Sequence, residues 1–387
     1  MKQIRILKNK AKIVLVGLLA LAPLSGLLVS GTAYAASNTC TWTGASSNNW
    51  NNAGNWSSCG GTAPQNGDNL VFDISGLSGP GSLTNDITSL QVGSITFSGT
   101  NAHGYGFTIG GNAISLSGGI NDTSNALNAI NNSITLTADQ TFSANLDLNV
   151  HALNMGTHNL TLGGGGTIYL DAAVTGTGTL QAGSTTSFLN SNNPGFSGPI
   201  EVTKGTLIIN AAQTDPLGTG SVTVANGATL QESINSNGTY TISNPITVAG
   251  NGAKLWSAGA LVVYGFSASG TVNFTGAITL TGNATIGLTS ANANINGSVS
   301  GCGYTISRAS GTSGTLSGNL TGSCSTGGSS PSSSSSGSTS SSPSAPNTGY
   351  GQPSSNNPLI FAIASGVVLA IGFGLLTVKS QKESAKR

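Results

Sequence analysis

The residues able to carry acid–base or metal chemistry are few in this chain, and they are scattered. The histidines and carboxylates of the N-terminal half include His103, His151, His158, Asp68, Asp73, Asp122, Asp139, Asp147 and Asp171. Catalysis needs clustered titratable groups, usually with a Lys or Arg to steady the substrate. Between residues 36 and 357 only Lys204, Lys254 and Arg308 are basic, and none lies in an acidic cluster. We therefore predict no catalytic residues, no metal site and no cofactor.

Aromatic residues near the start offer a different chemistry. Three of the four tryptophans, Trp42, Trp50 and Trp56, fall close together in a segment rich in Asn and Gly. Indole rings supply large apolar area to a small module, so residues 36–75 are predicted to form an N-terminal cap. The alternative is that the three rings form an aromatic platform that binds a sugar.

The N-terminus has the organisation of an export signal. Basic residues precede an apolar run over 13–29, which closes on Ala33-Tyr34-Ala35. Small residues at Ala33 and Ala35 are those that a signal peptidase requires, so residues 1–35 are predicted to be a signal peptide cleaved after Ala35. A retained signal anchor is the alternative, because the apolar run is long.

The C-terminus has the organisation of a membrane anchor. Residues 358–378 carry no charge and are followed by the basic tail 379–387. About 20 apolar residues span a bilayer. Because basic residues stay on the cytoplasmic side, everything before residue 358 is expected outside the cell.

Charge and cysteines agree with export. The chain has a formal net charge of +1, but residues 36–357 hold three basic residues against ten carboxylates and are therefore net −7. An acidic body argues against nucleic-acid binding. Cys40 and Cys59, and then Cys302 and Cys324, form one close pair near each end of the body. In an exported chain the pairs predict two local disulfides, whereas a zinc site would need a nearby C-x-x-C or His.

Residues 76–324 repeat a short apolar–polar alternation between Gly, Asn and Ser turns. Examples are Ser133 to Thr137, Asn159 to Leu162, Ser221 to Val224 and Ala277 to Leu280. Period-two alternation predicts half-buried strands. Many short strands without a helical pattern are consistent with a sandwich array, a barrel or a solenoid, and the repeat decides among them.

The clearest repeat unit runs from Gly176 to Leu230. It contains these segments in order: GTGTL at 176–180, NPGFSGPIEV at 193–202, KGTLII at 204–209, LGTGSVTV at 217–224 and NGATL at 226–230. This succession resembles the autotransporter-associated β-strand repeat of bacterial surface proteins, and the tryptophan-rich start resembles the segment that often precedes such repeats. The chain lacks the C-terminal β-barrel of autotransporters, so their self-export is not carried over.

The resemblance implies an all-β ectodomain folded as a right-handed parallel β-helix. Stacked coils bury a continuous core that no single coil could bury alone. With about 20 to 25 residues per coil, ten to twelve coils would form a rod on the order of 50 to 60 Å long.

Residues 325–357 are a Ser-rich, low-complexity tether that contains Pro346-Asn347-Thr348-Gly349. With the span and basic tail that follow, this order resembles a sortase cell-wall sorting signal, with Ala345 where that family has Leu. The resemblance implies cleavage between Thr348 and Gly349 by a sortase and linkage of Thr348 to the envelope. The alternative is an ordinary single-span membrane anchor.

These features predict a bacterial cell-surface structural or adhesin-like solenoid, held by its C-terminal helix or by covalent wall attachment. Its expected partners are the cell envelope and glycans or proteins of a host or neighbouring cell. The alternative is a carbohydrate-binding or polysaccharide-processing protein, because parallel β-helices also form the scaffold of pectate lyases. The scarcity of titratable groups favours a protein that is not an enzyme.

Overall fold

The computed structural model describes residues 37–210, 215–253, 258–265 and 270–324. The expected signal peptide with Ala33 and Ala35, the tether, the sorting motif at 346–349 and the C-terminal span lie outside these ranges. The described part is all-β, with 32 strands and a single 3-10 turn at Ala53–Asn55. No helix within it has the length and apolarity that a membrane crossing requires.

The strands are β1 (Thr39–Trp42), β2 (Trp56–Ser57), β3 (Asn69–Asp73), β4 (Gly81–Asn85), β5 (Leu90–Val92), β6 (Ile95–Ser98), β7 (Phe107–Gly111), β8 (Ile114–Leu116), β9 (Ile120–Asp122), β10 (Asn128–Ile130), β11 (Ile134–Leu136), β12 (Gln140–Ala144), β13 (Asp147–Val150), β14 (Leu153–Asn154), β15 (Leu160–Gly164), β16 (Thr167–Leu170), β17 (Val174–Thr175), β18 (Leu180–Ala182), β19 (Thr186–Leu189), β20 (Ile200–Val202), β21 (Thr206–Asn210), β22 (Val222–Val224), β23 (Thr229–Ile234), β24 (Thr239–Ile242), β25 (Ile246–Gly250), β26 (Leu261–Gly265), β27 (Thr271–Phe274), β28 (Ile278–Thr289), β29 (Asn292–Ile295), β30 (Val299–Ser300), β31 (Ile306–Arg308) and β32 (Leu316–Gly318).

The strands form a parallel β-solenoid of about 11 turns, which confirms the all-β solenoid part of the predicted fold class. The first row of stacked strands is β3, β6, β9, β12, β15, β18, β20, β22, β25, the start of β28 and β30. The second row is β4, β7, β10, β13, β16, β19, β21, β23, β26, the end of β28 and β31. Shorter strands form a third row in two sections, β5 to β17 and β24 to β32. Each turn of the chain thus places one strand in a row above the strand of the previous turn.

The core is built from stacks of identical positions in successive turns. One stack in the first row consists of Leu160, Leu180, Ile200, Val222, Ile246, Ile278 and Val299, each paired with the next. All seven side chains are buried. Full burial of one such side chain contributes about 1.5–3 kcal/mol, so the stacked aliphatic columns are the main source of cohesion between turns.

Glycines permit the turns to approach closely at one corner. A Cβ atom on Gly198 would collide with the backbone carbonyl of Gly178, and one on Gly220 would collide with the carbonyl of Gly198. The three glycines therefore form a column in which only hydrogen fits between successive turns. This contact explains why the repeat unit carries a glycine at each of these positions.

A disulfide lies near each end of the solenoid. Cys40 is bonded to Cys59 and Cys302 to Cys324, as the cysteine spacing predicts. At the first end β1 stacks in parallel on β3, and β2 pairs with β1 in the antiparallel direction. The strand edge of the first turn is therefore covered by cap strands, which protects it from pairing with another chain.

Candidate ligand-binding groove

The three clustered tryptophans form the interior of the cap and not an exposed platform. Their exposed fractions are 8% for Trp42, 0% for Trp50 and 7% for Trp56. The Trp56 ring lies 5.0 Å from the Trp42 ring and 5.8 Å from the Trp50 ring, in edge-on geometry. All three rings also contact Phe72 of the first turn. A sugar platform needs an exposed ring face, so the aromatic cluster serves to join the cap to the solenoid.

Asp68 and Asp139, two of the carboxylates singled out in the sequence, have separate sets of partners. Asp68 is buried in the cap, where its carboxylate accepts hydrogen bonds from the backbone NH groups of Asn38 and Gln65. Asp139 is exposed and lies 3.7 Å from the His158 imidazole. Hydrogen bonds from the backbone and side chain of Asn159 hold the pKa of Asp139 below its ordinary value. Neither carboxylate is among the residues that line the three cavities described below.

Asp122 belongs to a buried polar network. The Asn128 amide donates to the Asp122 carboxylate at 2.8 Å, and the Ser124 hydroxyl donates to it at 2.7 Å. The Asn128 carbonyl accepts a hydrogen bond from the backbone NH of Phe107 in the previous turn. Burial raises the pKa of Asp122, against the lowering effect of these donors. The network links two turns and is closed to solvent.

One combination of metal-ligand residue types occurs within the described ranges. It consists of Cys40, Cys59 and Asp68, whose ligand atoms lie within 4.8 Å of one another. The two sulfur atoms are joined in a disulfide, so they are not thiolates and do not bind a metal ion. This group is therefore a disulfide bond beside the Asp68 carboxylate and does not form a metal-ligand set.

Glu232 is an ionisable residue in the core that the sequence analysis did not single out. It occupies an aliphatic stack of the second row, between Ile209 and Val263. The side chain is 2% exposed, and neither carboxyl oxygen has a hydrogen-bond partner among the described residues. Burial raises the pKa of Glu232 well above the ordinary value. The side chain faces the interior of the solenoid and not its surface.

Four of five successive outward positions of the second row, from β16 to β26, are aromatic or aliphatic. Tyr169 of β16 stacks on Phe188 of β19, with ring centroids 4.7 Å apart and planes inclined by 12°. The following positions of the same outward row are Ile208, Gln231 and Val262. Ile208, Gln231 and Val262 are only 2%, 3% and 1% exposed, so the two aromatic positions of this row are the ones partly open to solvent.

A groove with a volume of about 280 Å³ opens beside this row. Its lining contains two aromatic residues, three isoleucines and five polar residues: Phe188, Tyr264, Ile208, Ile209, Ile234, Asn190, Asn210, Gln231, Ser233 and Asn235. The residues come from β19, β21, β23 and β26 and from the segments that follow β19 and β23. Four successive turns therefore build the groove.

Several polar atoms in the groove are available to a ligand. Gln231 is 3% exposed, and its amide NH2 donates to the Ser233 hydroxyl at 3.2 Å. Within the described part of the chain, the Gln231 carbonyl oxygen and the Tyr264 hydroxyl make no hydrogen bond. Asn190 donates to Asp171 at 2.8 Å, which fixes the orientation of its amide. Preset polar groups against an apolar wall are typical of small-molecule and glycan sites.

Two other cavities are more open to solvent than the groove. One, of about 670 Å³, lies beside the cap, and its lining includes Trp42, Asp73, Phe107 and residues 76–83 at and before the start of β4. Hydrogen bonds from Ser75 hold the pKa of Asp73 below its ordinary value, so this carboxylate is not poised for proton transfer at neutral pH. The other, of about 430 Å³, lies on the third row around Gln91 and Thr135.

Comparison with protein-family models, with curated proteins and with solved structures gives no match.

The groove could have been found in the sequence from a break in alternation. Strands β21 and β26 contain the runs Leu207-Ile208-Ile209 and Leu261-Val262-Val263, in which inward and outward positions are both apolar. Such a run signals an outer face that is not simply solvated. The neighbouring amides gave no signal, because Asn is abundant throughout the body.

Proposed function

We propose that this protein is a structural, adhesin-like β-solenoid displayed on a bacterial cell surface. The observation that carries the proposal is a parallel solenoid of about 11 turns with a disulfide near each end. A parallel stack is extended along one axis, and disulfides suit a protein exposed to an oxidising exterior. The proposal includes membership of the autotransporter-associated repeat family and right-handed winding, since parallel strand crossovers are right-handed in nearly all known sheets.

The ends of the chain support the outward display that we propose. An export signal over 1–35 would deliver the acidic body outside, and the span 358–378 with its basic tail would retain it. The tether 325–357 would hold the solenoid away from the envelope. Pro346 to Gly349 would provide covalent attachment at Thr348 if a sortase acts on it.

We also propose that the protein is not an enzyme. No carboxylate, histidine, lysine or arginine occurs among the described residues lining the groove. Glycan cleavage needs a pair of carboxyl groups flanking the scissile bond. The groove supports binding by contrast, because its polar atoms are amides and hydroxyls.

Display is tested in the native host with the full-length chain. External protease treatment of intact cells should release the body, whereas a chain truncated before residue 346 should instead be found in the medium. Protection of the full-length chain on intact cells would refute surface display.

The mass of the C-terminal peptide of the mature protein then determines the mode of attachment. A terminus at Thr348 indicates sortase processing, and an intact Arg387 indicates a retained membrane helix. Pro346→Ala is the matched variant, because it alters the motif while the span and the basic tail remain. If sortase processing occurs, this variant should shift the terminus from Thr348 to Arg387.

Attachment is tested by deleting the gene and measuring adhesion of the cells to a host surface or to partner cells. We expect adhesion to fall and to be restored by the full-length chain. Unchanged adhesion would contradict an adhesin-like role, while leaving the display result intact.

A further inference from the structure

We propose that the groove beside the second row binds a neutral polysaccharide chain, lying along the axis of the solenoid. The inference rests on the proposed surface display, which would bring the groove into contact with external glycans. It adds the chemical class of the ligand and the residues that recognise it.

The polar atoms of the groove match hydroxyl groups. The Gln231 carbonyl oxygen is an acceptor and the Tyr264 hydroxyl is both a donor and an acceptor, and neither is paired within the described ranges. Asn235 is exposed at the rim, and its amide offers donors and an acceptor. A sugar hydroxyl both donates and accepts, so it can satisfy all three groups. A hydrocarbon ligand would leave the buried Gln231 amide partly unsatisfied, which is costly.

The apolar part of the groove matches the faces of sugar rings. Phe188 and Tyr264 are partly exposed and lie on strands of different turns, β19 and β26. Strands in a row are about 4.8 Å apart, so the four strands from β19 to β26 extend the groove over about 14 Å. An aromatic ring offers a flat apolar face with a negative quadrupole, against which the C–H face of a sugar packs. An extended chain of several sugars fits this arrangement better than a single sugar.

Charge disfavours anionic chains in the groove. The lining contains no basic residue among those described, and the carboxylate of Asp171 lies just beside it, bonded to Asn190. The surrounding body, with a net charge of −7, adds a repulsive field for anions. Uronate-rich or sulfated polysaccharides and nucleic acids are therefore disfavoured.

The geometry also disfavours an extended peptide. Peptides commonly bind sheets by adding a strand to a free edge, where unpaired backbone groups are available. The groove lies on the face of the second row, where β21 is paired with β19 and β23 on its two sides. Only side chains are available there, and these are amides, hydroxyls and apolar groups.

The experiment uses the purified full-length protein in detergent on a glycan array. The probes are neutral glucans, mannans, galactans and N-acetylglucosamine chains, with polygalacturonate and alginate as acidic probes. We expect binding to at least one neutral chain, unchanged by moderate salt, and no binding to the acidic probes. Affinity for the neutral chain is then measured by calorimetry for each variant.

Three variants locate the binding site. Tyr264→Ala should weaken binding about tenfold, which corresponds to about 1.4 kcal/mol. Asn235→Ala, at an exposed position that folding does not depend on, should weaken binding about threefold. Tyr304→Ala is the matched control, because Tyr304 is 40% exposed and lies outside the groove. Circular dichroism checks that each variant is folded.

Three outcomes would overturn this inference. Absence of binding to every neutral probe overturns the inference, as does equal binding to acidic probes. Neutral binding that survives both Tyr264→Ala and Asn235→Ala places the ligand elsewhere and overturns the groove as the site. Protease accessibility on intact cells is measured separately, so a displayed protein that binds no glycan would refute this inference alone.

Discussion

Replacing Glu232 should stabilise the solenoid, and increasingly so as pH rises. The carboxyl group lies between Ile209 and Val263 with both oxygens unpaired within the described residues. An unsatisfied buried polar group costs about 1–3 kcal/mol. Glu232→Leu restores an unbroken aliphatic stack and should recover about this amount in acidic solution, where the carboxyl group is protonated in both states.

The pH dependence follows from the direction of the pKa shift. The folded-state pKa of Glu232 is raised well above 4.5, whereas the unfolded chain keeps an ordinary value. Below the unfolded pKa both states are protonated and ionisation imposes no penalty. As pH rises toward the folded pKa, the unfolded state loses its proton first and folding stability falls by up to about 1.4 kcal/mol per pH unit. Above the folded-state pKa of Glu232, this loss of folding stability is complete.

The assay is denaturant unfolding of the full-length chain from pH 4 to pH 8, followed by circular dichroism. Wild type should lose stability across this range relative to Glu232→Leu, whose curve lacks this contribution. Glu232→Gln should remove the same slope while recovering little stability, since its amide is still unpaired. Glu201→Gln is the matched control, because Glu201 lies on the outward face of β20 in the first row and accepts a hydrogen bond from Gln181.

Two results would refute this argument. If Glu232→Leu is less stable than wild type throughout the range, the carboxyl group has a stabilising partner. If wild type and Glu232→Leu show the same pH slope, the folded-state pKa of Glu232 is not raised as its burial requires.

Three further predictions concern the scaffold. Gly198→Ala should destabilise the chain by about 1–3 kcal/mol, because the new methyl group would collide with the Gly178 carbonyl of the previous turn; chemical denaturation measures this. Asn128→Ala should cost about 1–3 kcal/mol at neutral pH and less in acid, where the neighbouring buried carboxyl is protonated, as thermal melts at both pH values would show. Replacing Cys302 and Cys324 by Ser should cost about 3 kcal/mol and increase hydrogen exchange in the last turns.

The controls for these predictions are specific to each site. Gly79→Ala has open space around the new methyl group and should change stability by less than about 0.5 kcal/mol, so an equal effect at Gly198 would contradict the stacking argument. If Asn128→Ala is equally costly at both pH values, the hydrogen bond from Asn128 to Asp122 is not the main source of the stability that Asn128 contributes. Reduction of the wild-type disulfides should increase hydrogen exchange in the C-terminal turns to the level seen in the double Ser variant.

The fold class could be predicted because it depends on local patterns. Alternating segments such as Val222-Thr223-Val224 require strands with one buried face, and the repeat length requires stacking. The disulfide partners were also predicted from the sequence, because the cysteines fall in two close pairs with sequence separations of 19 and 22. The cap position of the tryptophans was predicted from composition, while their complete burial came from packing on Phe72.

The break in alternation at β21 and β26 marks an unusual outer face, but the set of side chains that lines the groove could not be predicted, because those residues are distant in sequence. Phe188 and Tyr264 are 76 positions apart and meet only when four turns stack in register. The lengths of the corners differ between turns, so sequence separation does not determine which positions become neighbours across strands.

The sequence by itself determined strands, turns and a stacked β architecture, since alternation and glycine placement act over a few residues. Only the tertiary structure decided which side chains face inward in each turn and which columns they join. Glu232 shows the difference: the segment Gln231-Glu232-Ser233 looks polar and solvent-exposed in the sequence. Pairing with Ile209 and Val263 places the carboxyl group of Glu232 in the core. The backbone hydrogen bonds between turns fix the register, and the register decides which residues of each strand face inward.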